Sequence, residues 1–367
     1  MNEMDSVIFL YKINHGNIPR KWVVRIMVNR PANKYISFGT WRFFLASLVA
    51  ISHLWAGMIE GYAAYAVWGF FVLSGYLMTY VLRNKYGFDF QGLKAYAFNR
   101  FLRIMPSYWA VLILGIITIV VLTPLGIDLP KLNPQFAMPH GREWLFPLTL
   151  LPIFIGSNIP VPVANALGVE VGVYILIPFM AQHRSAAWLG MLLGLFINYQ
   201  YGFGVPSFPA RYSEFLPCFL PFAIGSLVAH YINQLRRFSY PRLSWLVWII
   251  HGLLWFKFGS WPWTYGLYFS IILSSWVVVS MDTDRSSSLD KFLGDLSYPV
   301  YLIHTTVAAW LLGYYGYTRT FSFFAWSFLG TLFLSWMIII LVDKPLLPAK
   351  KLSNKKPIQE GINANII

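Results

Sequence analysis

The chain has 367 residues, of which 57% are hydrophobic, 19% aromatic and only 11% charged, with a mean hydropathy of +0.56 and a formal net charge of +14. A soluble domain carries about 25% charged residues, so this composition excludes an ordinary soluble globule and predicts a polytopic membrane protein. The apolar runs reach roughly twenty residues without strict alternation, which excludes a barrel and leaves spanning helices.

In a soluble protein the positive charge would point to nucleic acid. Here its distribution reads as a topological signal, and no nucleic-acid partner is expected. With Cys218 as the single cysteine, no intrachain disulfide can form. The N-terminal segment 1–37 is polar and basic and lacks the short apolar core and small-residue cleavage site of a signal peptide. Within it, basic residues alternate with Trp22, Val23, Val24, Ile26, Met27 and Val28. Two readings stay open there, an amphipathic surface helix on anionic lipid or an unstructured leader.

Ten apolar segments follow, at about 41–59, 62–82, 104–123, 163–181, 187–202, 214–234, 243–258, 263–281, 292–313 and 322–342. The fifth and seventh are short. The expected fold is therefore all-α, a polytopic membrane helix bundle of about ten transmembrane helices with both termini cytoplasmic. With that orientation 22 Lys and Arg lie on cytoplasmic segments and 5 outside, Arg42 being the one within the membrane. The opposite orientation inverts the bias. The membrane domain is read as 38–348, followed by a cytoplasmic polar tail over 349–367. The long outer segment 124–162 is proline-rich with an apolar middle from Trp144 to Ile155. It is a candidate re-entrant piece roofing a cavity. No internal repeat is visible, which counts against transporters built on inverted repeats.

The first chemistry-bearing element is WRFFLASLVAISHLW. Arg42 and His53 are eleven residues apart, about three helical turns, so both emerge on one face about 16.5 Å apart along the axis. Ionisable groups inside a membrane cost free energy, and two aligned on one helix mark a functional line. The competing reading has Arg42 snorkelling to the interface and His53 bonded to a neighbouring helix.

In the second segment, FFVLSGYLMTY offers Ser74 and Gly75, a small pair that admits another backbone or a thin ligand. The third begins with FNRFLRIMPSYW, which sets Arg100 and Arg103 one turn apart at its cytoplasmic mouth. Paired guanidiniums there are either phosphate clamps or ordinary topological anchors. In the fourth, ALGVEVGVYILIP buries Glu170, with Tyr174 one turn on. A carboxylate in an apolar helix must be protonated, paired or hydrated. It can orient His53, pair with Arg42 or another basic group, bind an acceptor hydroxyl, or serve as a structural polar lock. In the ninth, LGDLSYPVYLIHTTV holds Asp295, Ser297, Tyr298, Tyr301 and His304. Residues 297, 301 and 304 form a polar stripe that must face a cavity or a partner helix. No Cys/His cluster has metal-ligand spacing, so no metal is expected.

Taken together, these pieces resemble the acyltransferase-3 family of integral membrane acyltransferases. The resemblance rests on Arg42 with His53, the FFxLSGY segment Phe70–Tyr76, RxxR before proline and an aromatic at Arg100–Tyr108, and the VExxFY-like Val169–Tyr174. It extends to the SYxxYLxH-like Ser297–His304 and the acidic residue, one residue and proline that end the last span at Val342–Pro345. The motifs run in the family's order over about residues 38–348. Departures are Ala66-Val67-Trp68-Gly69 before the paired phenylalanines, Asn165 near the place of a tryptophan, Val173 for phenylalanine and Asp343 for glutamate.

The resemblance implies transfer of an acyl group, most often acetyl, from coenzyme A to a hydroxyl of a glycan or lipid-linked sugar. No permanently bound cofactor is expected, since acyl-CoA is the donor substrate. The partners are then acyl-CoA, a carbohydrate acceptor and membrane lipids, and the setting is a bacterial inner (plasma) membrane. On this reading Arg42, Arg100 and Arg103 bind the donor and His53 acts as general base, its ordinary pKa lying near neutrality. Glu170 assists catalysis, and Ser74, Tyr298 and His304 line the tunnel. The rival is a transporter or flippase of a lipid-linked saccharide that uses the same buried charges as a relay.

Overall fold

The computed structural model describes residues 37–58, 61–254, 259–281 and 287–348. The basic N-terminal segment up to residue 36, with both of its readings, and the tail 349–367 lie outside the described residues. Among the described residues all regular structure is helical. A helix occupies each of the ten expected segments: α1 (Phe38–Leu54), α2 (Tyr62–Val81), α3 (Phe90–Leu122), α4 (Ala164–Gln182), α5 (Arg184–Tyr201), α6 (Phe215–His230), α7 (Pro241–Leu253), α8 (Tyr265–Ser280), α9 (Ser288–Tyr315) and α10 (Phe321–Ile338).

Their lengths vary more than those of the apolar segments, of which only the fifth and seventh are short. Among the described residues four helices are long and apolar enough to cross a membrane: Tyr62–Tyr86, Phe90–Leu122, Ala164–Gln182 and Phe321–Asp343. A fifth is counted if Val205–Ser213 and Phe215–His230, bent by 67°, form one broken span. The shortfall has physical causes. α7 has 13 residues and α6 and α8 have 16 each, so at about 1.5 Å per residue they fall short of the roughly 30 Å hydrocarbon core. α9 is long, but its charge-free stretch after Asp295 is diluted by Ser297, Tyr298, Tyr301, His304, Thr305 and Thr306.

Two tight helix pairs organise the bundle. On α1 and α9 the facing residues advance together, Gly39 with Asp290, Arg42 with Gly294 and His53 with His304, so the two helices run parallel. Small residues make the crossing close: a Cβ on Gly39 would stand 1.9 Å from the Asp290 carbonyl oxygen. α2 and α6 are also parallel, with Gly75 against Phe222, Thr79 bonded to Ser226 at 2.9 Å, and Arg83 donating to the His230 imidazole. A Cβ at Gly75 or Gly225 would lie 2.1 Å from the backbone oxygen of Phe222 or Val72, so neither site admits alanine without parting the helices.

Aromatic edges dock the short α7 onto α1. Trp41 meets Trp245 and Trp248 edge-on with ring centroids 4.8 and 5.1 Å apart, and the Trp248 indole donates to Ser274 Oγ at 3.0 Å. Between α3 and α4, the segment 124–162 folds into short turns whose Phe136, Phe146, Leu150 and Ile159 are fully buried. Phe146 and the Leu150 carbonyl press on Gly168 of α4. Glu143 ties the segment together, accepting from His140 N at 3.0 Å, Ser157 Oγ at 2.7 Å and Asn158 Nδ2 at 3.0 Å. Four hydrogen bonds to the ionised form, led by that from the Ser157 hydroxyl and including the Ser157 N–H at 3.3 Å, hold this carboxyl down at about 2.

Candidate functional site

Helices α1, α2, α3, α4 and α9 enclose one cavity, lined by Arg42, Ser74, Arg100, Arg103, Glu170 and Tyr298 among others. It offers about 130 Å³ to the centres of water-sized molecules. Six of the eight residues singled out in the sequence therefore meet at one place. Their approach depends on the two parallel pairs. Gly75 is consumed by the α2–α6 crossing, which turns its neighbour Ser74 toward the cavity. The small pair thus divides, one residue for packing and one for the site.

The cavity is cationic on one side. Arg103 pairs with Asp295 at 3.7 Å, both being partly exposed. Arg42 Nε donates to its own helix at Phe38 O, 3.3 Å away. Among the described residues neither Arg42 nor Arg100 sits in an ion pair. Arg100 lies over the Tyr96 ring at 6.0 Å, and its buried Nε has no hydrogen-bond partner. An unpartnered buried N–H on a guanidinium is costly, and an anion entering the cavity would satisfy it.

Across from the arginines stands Glu170. Ser74 Oγ donates to its Oε1 at 2.5 Å, and the Tyr174 hydroxyl donates to the same oxygen. Its other oxygen makes no hydrogen bond among the described residues. Of the roles open to Glu170 in the sequence, orienting His53 is not the one seen here, and neither is an ion pair with Arg42. It anchors a hydroxyl cluster on the cavity wall. Tyr298 lines the cavity but sends its hydroxyl to Ile104 O at 2.9 Å, and Tyr301 bonds Val163 O at 2.8 Å. Both hydroxyls lock α9 to its neighbours.

His53 and His304 lie beyond this cavity. His53 Nδ1 is 2.8 Å from His304 Nε2, and the rings lie edge to edge, with centroids 5.1 Å apart and planes 20° from parallel. Tyr301 stands between, its ring 6.4 Å from that of His304 and 6.2 Å from that of Phe70. Phe70 and Tyr301 both line the cavity, so this aromatic pair forms the wall that separates the arginines from the histidines. The expected polar stripe on α9 is accordingly split: Ser297 and Tyr301 border the cavity, whereas His304 is fully buried against α1. His304 is not among the residues lining this cavity, and its ring meets that of His53. Among the described residues no group of three His, Cys, Asp or Glu side chains converges as a metal cradle.

A family model described as "Acyltransferase domain", that of acyltransferase-3, matches residues 34–340. The chain belongs to the acyltransferase-3 family. No match was found among curated proteins or solved structures. The chain is accordingly an acyltransferase and an integral, multi-pass membrane protein.

One residue that positions this acyltransferase's site escaped the sequence reading. Asp290, almost fully buried at 4% exposure, accepts from Thr40 N and Thr40 Oγ1 at 2.8 Å each and from Gly39 N at 3.3 Å. The α1 N-cap, Ser37, provides no side-chain cap of its own. Asp290 therefore caps α1 from a helix some 250 residues away in sequence, satisfying free N–H groups and complementing the helix dipole. That bond sets the register in which Arg42 reaches the cavity. A local signal exists, since Ser287 and Asp290 form an N-cap and N3 pair and Ser287 Oγ accepts from Asp290 N at 3.1 Å. The cap announces the start of α9 but not its partner.

Proposed function

We propose that this acyltransferase moves an acyl group, acetyl by preference, from cytoplasmic acyl-CoA to a hydroxyl of a glycan or lipid-linked sugar, with His53 as general base. One observation carries the reading. Three arginines from α1 and α3 border a single membrane-embedded cavity, and one of them keeps a buried N–H unpartnered. That is a fit for the phosphates of coenzyme A, which guanidiniums clamp bidentately. The Ser74–Glu170–Tyr174 cluster opposite offers a carboxylate oxygen to a hydroxyl or amide of a ligand in the same cavity.

In the reaction, the acceptor hydroxyl gives its proton to His53 as its oxygen bonds the thioester carbonyl carbon. The carbon–sulfur bond then breaks, and the proton passes from His53 to the departing coenzyme A thiolate, so the enzyme returns to its starting state.

Ten spans with both termini cytoplasmic, in a bacterial inner membrane, are part of this reading. The helices at all ten segments, the parallel α1–α9 and α2–α6 pairs and the 22-to-5 charge bias support it. The decisive experiment is mass spectrometry of surface glycans from cells carrying wild type or His53→Ala at equal membrane levels. Loss of O-acyl groups in the variant is the expected result, and full acylation would remove His53 from the mechanism.

A further inference from the structure

The histidine pair has a direction, dictated by which of the contacting atoms are able to donate. His304 Nδ1 lies 3.2 Å from the Val300 carbonyl oxygen. A carbonyl only accepts, so that contact is a hydrogen bond when Nδ1 carries the proton. In neutral His304, Nε2 is then an unprotonated acceptor. The atom 2.8 Å from it is His53 Nδ1, which must carry a hydrogen. Neutral His53 is thereby left with a single lone pair, on Nε2.

We propose that His304 is a positioning residue that fixes His53 in its Nδ1–H tautomer, through the chain Val300 O, His304, His53, and so presents His53 Nε2 as the one basic atom of the pair. The inference rests on the proposed role of His53 as base. The opposite polarity leaves His304 Nδ1 unprotonated against Val300 O, where two lone pairs face each other and that hydrogen bond is lost.

The surroundings agree. His304 is fully buried, so water does not compete for its ring nitrogens. Among the described residues no carboxylate hydrogen-bonds either ring. In a Ser-His-Asp triad an anion orients the histidine and stabilises the imidazolium. Here a neutral imidazole supplies orientation without a countercharge. Burial and the parallel α1–α9 crossing hold the two rings within 20° of coplanar orientation, so the tautomer is set by packing.

The test reads the tautomer directly. Full-length protein labelled with ¹⁵N-histidine is placed in lipid nanodiscs, and the His53 signals are assigned by their loss in His53→Ala. Wild type is expected to show protonated Nδ1 and bare Nε2 at His53. His304→Gln, whose amide oxygen still accepts, keeps that pattern. His304→Leu releases it toward the Nε2–H form and lowers acyl transfer about 10²-fold, within the range of a misaligned general base, while His304→Gln stays within about tenfold of wild type. Protonated Nε2 at His53 in wild type, or an unchanged tautomer in a folded His304→Leu protein, overturns the proposal. Should His304→Leu fail to fold, the wild-type and His304→Gln spectra decide by themselves. Failure of the underlying reading looks different: the tautomer stands as assigned, yet His53→Ala still transfers acyl groups.

Discussion

The two ends of the α1–α9 pair carry opposite kinds of chemistry on the same two helices. At the N-terminal end Asp290 caps α1, Arg42 opens on a cavity, and two of the three arginines there have no ion-pair partner. At the other end His53 and His304 close on each other, away from the cavity, behind Phe70 and Tyr301. Guanidinium stays charged at any working pH and suits a permanent anion, whereas imidazole gains and loses a proton near neutrality. One rigid, parallel crossing therefore separates holding a ligand from moving a proton by about three helical turns. The lesson is that alignment on a helix face sets a distance between functions without making the residues neighbours.

The sharpest way to break this division is at the histidine end. His53→Ala is expected to lower acyl transfer by about 10²–10⁴-fold with coenzyme A affinity unchanged in an equilibrium binding assay. A parallel loss of affinity would show that the two ends are one site. At the arginine end the pattern reverses. Arg100→Gln with Arg103→Gln is expected to weaken coenzyme A binding by about 10²-fold, in line with charge-assisted hydrogen bonds of about 1.5–3 kcal/mol each. The residual affinity should fall less steeply with added salt than in wild type, as fewer charges take part. Binding that ignores both substitutions leaves these arginines as topological anchors.

A smaller effect is expected from the cap that joins the ends. Asp290→Ala removes three hydrogen bonds to the start of α1, and the loss should be about 1–3 kcal/mol in thermal or denaturant unfolding in detergent. It should also weaken coenzyme A binding through Arg42, while leaving the His53 tautomer in place. An equal disturbance at both ends would mean that α1 moves as a whole.

The smallest effect lies outside both ends, at Glu143. Its folded-state pKa of about 2 is below the ordinary carboxyl value, so the tie it gives segment 140–158 is fully present above about pH 4.3 and fades as pH falls toward 2. Protection factors at His140 and Ser157, taken relative to the intrinsic exchange rate at each pH, should fall over that window in wild type and stay constant there in Glu143→Gln. Constant protection in wild type would remove the carboxylate as the tie.

Much of this molecule is legible in the chain itself. Composition fixes a helical membrane protein, because only internally bonded helices tolerate lipid around such long apolar runs without alternation. The ten helix positions follow from those runs, and the eleven-residue spacing of Arg42 and His53 places both on one face because the α-helical repeat is local. The RxxR, SYxxYLxH-like and related motifs suffice to point to the acyltransferase-3 family. What local rules cannot reach is pairing between segments far apart in sequence. Glu170 to Ser74, His53 to His304 and Asp290 to Gly39 and Thr40 span 96, 251 and about 250 residues. Each is decided by which small residues let two helices touch, Gly39 against α9 and Gly75 against α6. Helical periodicity puts a side chain on a face, but only the packed bundle determines what that face meets.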